Sequence, residues 1–113
     1  YRSGSLGYDE AIAEFNAALK ILDEARRATP GDHKIIKHYH ELAVLRADLI
    51  NSEAVKITNH AADIAGSDRS SAINDLDTAV RMLEEAHHND PDNQQISRNL
   101  ESVRQSLKGL RGY

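Results

Sequence analysis

The longest stretch of this chain without a helix-breaking residue runs from residue 33 to residue 65 and contains neither proline nor glycine. Within it an isoleucine or alanine recurs at every seventh position, and a second column of alanines runs beside the first. A stripe that keeps its phase over this length favours one continuous helix of about 50 Å, because a break normally resets the phase. The alternative is a break at Asn51 and Ser52, with Ser52 capping a second helix. The stripe consists of Ile36, Ala43, Ile50, Ile57 and Ile64, and the column beside it of Ala47, Ala54 and Ala61.

Proline and glycine divide the rest of the 113 residues. Thr29 to Asp32 and Asp90 to Asn93 enclose the two prolines and predict tight corners, while Gly66 predicts a left-handed helix stop. Apolar residues at three- and four-residue steps predict further helices over about residues 8–28, 69–89 and 94–113, with the last one fraying at its glycines. Asp32 and either Ser67 or Asp68 are expected as N-caps. Residues 1–7 predict a flexible arm, and residues 8–113 a single all-α helical-repeat domain.

The predicted core collects the large apolar side chains of these stripes, because burial of apolar surface is the main term that stabilises a fold. Apart from Ala43, the alanines are placed beside the stripes, and none is placed in the core itself. The expected core comprises Ile12, Phe15, Leu19, Leu22, Ile36, Tyr39, Ile50, Ile57, Ile64, Ile73, Leu76, Val80, Leu83, Leu100, Val103 and Leu107.

One constant shift, which moves Pro30 onto Pro91, aligns the two halves of the chain without a gap, and we call it the repeat shift. Two amphipathic helices always share some apolar positions, so the informative match is the proline corner held at a fixed distance from the alanines. The repeating unit is a helix, a tight corner and a second helix. The other matched residues are Ala11, Ile12, Ala18, Leu22, Glu24, Ala25, Ile35 and Leu49, which fall on Ala72, Ile73, Ala79, Leu83, Glu85, Ala86, Ile96 and Leu110.

At each corner the chain resembles a tetratricopeptide repeat. The small, large, small, proline spacing of that family's second helix and turn occurs twice, as Ala18, Leu22, Ala25, Pro30 and as Ala79, Leu83, Ala86, Pro91. The resemblance covers these two short stretches and implies antiparallel helical hairpins, about four helices with a long middle one, in a short solenoid or elongated bundle. It also implies a non-enzymatic module or scaffold that binds a protein or peptide in the grooves between helices. That family's terminal-carboxylate clamp is not carried over, because Glu41 stands where an Asn is needed.

Composition excludes several classes of function. Fourteen Lys and Arg against 18 Asp and Glu give a net charge of −4, so we expect no nucleic-acid partner. The absence of Cys removes disulfides and thiol chemistry, and it leaves the compartment open. No apolar stretch is long enough for a membrane span. Because the chain begins at Tyr1, we expect a processed or excised fragment.

Six histidines raise the question of a metal site or of phosphotransfer. His33, His38 and His40 are separated by steps of five and two, whereas ligands on one helix face need steps of three or four, so we expect no metal and no cofactor. His87 and His88 lie at the end of their helix, where positive charge interacts favourably with the helix dipole.

A histidine phosphotransfer bundle is a distant third hypothesis, because the signature of a His followed by two residues, a Lys and a Gly is missing. No catalytic motif is present, and we predict that the chain is not an enzyme.

The candidate interaction residues are of two kinds. The first are apolar residues outside the main stripes, which indicate helices with more than one neighbour. The second are basic residues of the last helix. This helix has a net charge of +3, and the preceding segment over residues 68–92 has a net charge of −5. These charges either attract each other within the fold or join copies head to tail into a self-assembling homo-oligomer or filament, which is our alternative function. The candidates are Ile21, Leu42, Leu45, Leu49, Val55, Arg104, Lys108 and Arg111.

Overall fold

The computed structural model of the chain describes residues 5–112, and side chains from residue 7 onward. Its elements are α1 (Ser5–Ala28), α2 (His33–Ile64), α3 (Arg69–Asn89) and α4 (Gln94–Arg111). Helices joined by short turns account for the described range, in which no strand occurs. The prediction of an all-α fold with four helices and a long middle helix is confirmed. None of these helices is apolar over a length sufficient to cross a membrane.

The 32-residue α2 is continuous, so the alternative of a break at Asn51 and Ser52 is wrong. The unbroken phase of the stripe correctly predicted one helix. Extending an existing helix adds a hydrogen bond per residue, whereas a second helix would carry a second nucleation cost. The same cooperativity explains the start of α1. The predicted arm is helical from Ser5, and its residues 1–4 lie outside the described part of the chain.

Two predictions about glycine need correction. Among the glycines of the described range, Gly112 alone has a positive φ, at 82°, so Gly66 does not stop α2 in the left-handed conformation. The turn after α2 is instead closed by the Asp68 amide, which donates to the Ile64 carbonyl at 2.7 Å. Helix α4 passes through Gly109 without fraying and ends at Gly112, whose amide donates to the Lys108 carbonyl at 3.0 Å.

The first corner is closed by backbone hydrogen bonds and an N-cap. The Thr29 amide donates to the Ala25 carbonyl at 2.9 Å, and the Asp32 amide donates to the Thr29 carbonyl at 3.1 Å. The Asp32 carboxylate then accepts from the amides of Lys34 and Ile35 at 3.0 and 3.3 Å. These amides have no partner within the helix, so Asp32 starts α2 as predicted.

The second corner is closed in the same way. The Asp90 amide donates to the Ala86 carbonyl at 2.9 Å, and the Asn93 amide donates to the Asp90 carbonyl at 3.2 Å. The Asn93 side chain accepts from the Ile96 amide at 3.1 Å and caps α4. The repeat shift carries both backbone bonds of the first corner, and the bond from the Ile35 amide to Asp32, onto counterparts in the second corner.

Contacts divide the chain within α2, after Arg46. We call residues 5–46 the N-terminal hairpin and residues 47–112 the C-terminal bundle, and each is described by itself. In the N-terminal hairpin α1 and the first part of α2 run antiparallel. Near the corner the Arg26 guanidinium lies over the Tyr39 ring, 4.6 Å from its centroid, and near the open end Arg46 Nε donates to Asn16 Oδ1 at 2.9 Å.

The N-terminal hairpin buries very little. No side chain of residues 7–28 is buried, and the buried side chains of the hairpin are those of Ala43 and Arg46. Ile36, which we placed in the core, is 39% exposed. Two helices alone cannot surround a side chain, so the apolar stripes of this hairpin are covered on one side only. The predicted core residues that are only half-buried here are Ile12, Phe15, Leu19, Leu22 and Tyr39.

The C-terminal bundle has a closed core of three helices. The predictions of burial are confirmed for Ile50, Ile57, Leu76, Leu83, Leu100, Val103 and Leu107. Ile64, Ile73 and Val80 are half-buried. The prediction missed Ile96 and six alanines, because it counted large side chains, whereas alanine is buried where two helices approach closely. These alanines are Ala47, Ala54, Ala61, Ala72, Ala79 and Ala86.

Candidate interaction surfaces

A groove runs between α2 and α4 of the C-terminal bundle, and buried side chains of α3 lie at its base. It consists of two depressions of about 360 and 190 Å³, and Thr58 lines both of them. We call it the α2–α4 groove. The larger depression is lined by Thr58, Ala61, Ala62, Ala65, Leu76, Ser106, Gly109 and Leu110. The smaller one is lined by Val55, Thr58, Asn59, Leu83, Asn99, Ser102 and Val103.

Most side chains of the α2–α4 groove are small or apolar, and none of the described ones is charged. The polar groups at its edges are hydroxyls and carboxamides. Asn99 Nδ2 donates to Asn51 Oδ1 at 2.9 Å and so joins α4 to α2 beside the groove. The Asn99 oxygen and the Asn59 carboxamide provide acceptors and a donor at a mostly apolar surface, which is the composition typical of a binding pocket.

Of the predicted interaction residues, Val55 lies in this groove and is 38% exposed. The groove's other members were not among the predicted interaction residues. Ala62, Ala65 and Gly109 carry too little apolar surface to stand out as an exposed stripe. In the sequence these residues are marked only by their small size. The alanines of the core are equally small, so size does not distinguish groove residues from core residues.

The three predicted basic residues do not line the groove, and two of them pair with α3. Arg104 binds Glu84 at 3.1 Å, and Arg111 binds Asp77 at 2.9 Å. Lys108 lies exposed in the last turn of α4. The opposite charges of α3 and α4 thus attract each other within the bundle, although partly exposed pairs contribute only about 0–1 kcal/mol each.

A more polar cleft of about 450 Å³ lies near the second corner. His87 Nδ1 is 3.4 Å from Ser97 Oγ, and Arg104 and Glu84 form their ion pair at its edge. The distance between His87 and Ser97 is at the long end for a hydrogen bond, so this contact does not identify a serine activated by a base.

Four further histidines lie on α2. His33 and His40 are exposed on α2, and His38 Nδ1 is 3.9 Å from Glu41. His60 has a partner that the sequence did not predict, because its Nδ1 lies 2.8 Å from Asp75 Oδ2 on α3. Across residues 5–112 no three His, Asp or Glu side chains lie close enough to hold a metal ion.

The N-terminal hairpin carries a second apolar surface. A cleft of about 230 Å³ is lined by Ala11, Glu14, Phe15 and Ala18 of α1 and by Leu42 of α2. Two predicted interaction residues continue this surface, since Ile21 follows Ala18 by three positions and Leu45 follows Leu42 by three. Ile21 is 67% exposed and Leu45 53% exposed. We call these seven residues the hairpin flank.

The last predicted residue, Leu49, belongs to the C-terminal bundle and is half-buried. The structure therefore distributes the predicted apolar candidates over separate places. Val55 lies in the α2–α4 groove, and Ile21, Leu42 and Leu45 lie on the hairpin flank.

No family model, curated protein or solved structure matches this chain.

Proposed function

We propose that this protein is a non-enzymatic protein-interaction module of helical-repeat type, similar to tetratricopeptide repeats, and that it binds a peptide segment of a partner protein in the α2–α4 groove. The observation that carries the proposal is the lining of this groove. Small, uncharged side chains stand along both of its walls, and the apolar Leu76 and Leu83 lie at its base. Small side chains let the backbone of a bound segment approach the helices closely.

The chemistry of the lining defines the partner. A groove without charge favours a segment with uncharged, largely apolar side chains, because an unpaired charge placed there would lose its hydration. The carboxamides of Asn59 and Asn99 provide hydrogen bonds for the backbone of such a segment, which gives orientation.

The two corners support the repeat character of the proposal. Under the repeat shift their backbone hydrogen bonds are equivalent, and so are the bonds from the Ile35 amide to Asp32 and from the Ile96 amide to Asn93. Equivalent caps and turns are expected when one structural unit occurs twice in a chain.

Peptide display on the immobilised chain tests this function. We expect enrichment of apolar, uncharged peptides, whose affinities are then measured by fluorescence anisotropy. Ala62→Arg places a long charged side chain in the groove at an exposed position and should weaken binding about tenfold or more. Ala13→Arg, an equal change at an exposed alanine of α1, is the control and should leave the affinity unchanged. Absence of enriched peptides, or equal binding to both variants, would contradict the proposal.

The alternative function, head-to-tail assembly through basic and acidic ends, has weaker support. Arg104 and Arg111 are already paired with carboxylates of the same bundle. Their charges are therefore partly neutralised before any second chain arrives.

A further inference from the structure

The hairpin flank leaves two large apolar side chains in water. Ile21 and Leu45 are 67% and 53% exposed, and each lies about one helical turn beyond a residue of the cleft, Ala18 or Leu42. In this cleft Ala11 and Ala18 leave space beside Phe15, and Glu14 also lines it. A surface that has both projecting side chains and a cleft between small ones can pack against a copy of itself, since the projections of each copy enter the cleft of the other. The absence of any buried side chain over residues 7–28 shows that this hairpin has no second layer of its own.

Charged residues stand at opposite ends of the same flank. Glu10 precedes Ile21, and Lys34 precedes Leu45, by the same number of positions, which is close to three full helical turns. Each charge therefore lies on the same face as the projecting side chain of its own helix. Because α1 and α2 run antiparallel, Glu10 lies toward the open end of the hairpin and Lys34 toward the corner.

These two charges are equally far from the middle of the cleft. Glu10 is eight positions from Ala18, and Lys34 is eight positions from Leu42, which corresponds to about 12 Å along each helix. Within one chain they are thus about 24 Å apart along the hairpin axis and cannot pair. Neither forms an ion pair with another side chain of the part of the chain that the structure describes.

We propose that the hairpin flank is the interface of a homodimer, in which two copies pack antiparallel about a two-fold axis at the level of Ala18 and Leu42. This axis places Glu10 of each copy opposite Lys34 of the other, so both pairs are attractive. An interface of this kind uses the same patch twice and closes at two copies, unlike the head-to-tail alternative.

Sedimentation equilibrium of the full chain over a dilution series tests the dimer. We expect a reversible monomer–dimer equilibrium. Ile21→Glu and Leu45→Glu should each weaken dimerisation about tenfold or more, because they place a carboxylate in an apolar contact. Ile36→Glu is the matched control: this isoleucine is also exposed but lies outside the flank, and the dimer constant should not change. Circular dichroism of each variant verifies that the helices are intact.

A charge exchange tests the antiparallel arrangement without altering any apolar contact. Glu10→Lys and Lys34→Glu should each weaken the dimer, since each creates two like-charged pairs across the axis. An equal mixture of the two variants should restore dimerisation as a heterodimer, because each pair across the axis then joins a lysine of the Glu10→Lys chain to a glutamate of the Lys34→Glu chain, and both pairs are attractive.

A chain that is monomeric at all concentrations would overturn the proposal. So would a dimer that resists Ile21→Glu and Leu45→Glu, growth beyond two copies, or a mixture of the charge variants that fails to associate. Ala62→Arg in the α2–α4 groove should leave the dimer unchanged, and loss of the dimer in that variant would also count against the flank. This separates the interface from the proposed peptide site.

Discussion

Asp68 shows how one side chain fixes the beginning of a helix. Its carboxylate accepts a hydrogen bond from the Ser71 hydroxyl at 2.7 Å and another from the Ser71 amide at 3.1 Å. Both bonds favour the ionised form, and together they lower the pKa of the Asp68 carboxyl below its ordinary value. The cap of α3 is thus an acid whose protonation weakens the helix that it starts.

The sign of the resulting pH dependence follows from this lowered pKa. A carboxyl with a lower pKa in the folded than in the unfolded chain contributes stability above its unfolded pKa, and this contribution is lost as the pH falls through its folded pKa. Asp68→Asn should keep the cap, because Asn is as good an N-cap as Asp, but should remove this titration. We expect thermal midpoints measured from pH 7 to pH 2 to fall less steeply below about pH 4 in Asp68→Asn than in the unchanged chain. Parallel curves would show that Asp68 does not contribute.

At the scale of single elements, α1 and α3 carry the same spacing of apolar residues but differ in burial. Leu22 is half-buried on α1, whereas its counterpart Leu83 on α3 is fully buried. The difference arises from the number of neighbours, since α3 is enclosed by α2 and α4 in the C-terminal bundle and α1 in its hairpin contacts one helix.

We therefore expect unequal costs for the same substitution at these matched positions. Leu83→Ala should reduce the free energy of unfolding of the C-terminal bundle by about 2–5 kcal/mol, because a closed core leaves a cavity. Leu22→Ala should cost about 1 kcal/mol, because water already reaches the site. Urea unfolding followed by circular dichroism measures both. Equal losses would mean that α1 is as enclosed as α3.

The elements themselves could be predicted from the sequence because their limits are set locally. Pro30 and Pro91 have no amide hydrogen to donate, the capping residues accept from amides a few positions away, and both corners lie where they were expected. Burial could not be predicted equally well. Whether Leu22 or Leu83 is covered depends on helices that lie far away in the sequence, and the two leucines have the same local pattern.

The candidate surfaces follow the same rule. Ile21, Leu45 and Val55 were identified because a large apolar side chain outside the main stripe is visible in the sequence. The α2–α4 groove as a whole was not predicted, because its walls come from two helices that are distant in the sequence and consist of side chains as small as those of Ala62 and Gly109.

At the scale of the whole molecule, burial is concentrated in the C-terminal bundle. Its core contains Ile50, Leu83 and Ile96, the largest fully buried side chains of the described residues. The N-terminal hairpin contributes Ala43 and Arg46 to the buried set. Stability is therefore not uniform along this chain.

Separate fragments should reveal this difference. We expect a fragment of residues 47–113 to fold and to unfold cooperatively on heating, because it retains its buried core. A fragment of residues 1–46 should show low helicity in dilute solution, since its apolar stripes are covered on one side only. Circular dichroism with a thermal scan measures both, and a stable N-terminal fragment at low concentration would contradict the expectation.

The alanines of the C-terminal bundle have a consequence for how this sequence can change over generations. Ala54, Ala79 and Ala86 have no exposed surface, so any larger residue at these positions displaces a neighbouring helix. Descendants of this sequence would therefore keep small residues at these positions. New partners would be gained through substitutions on the exterior.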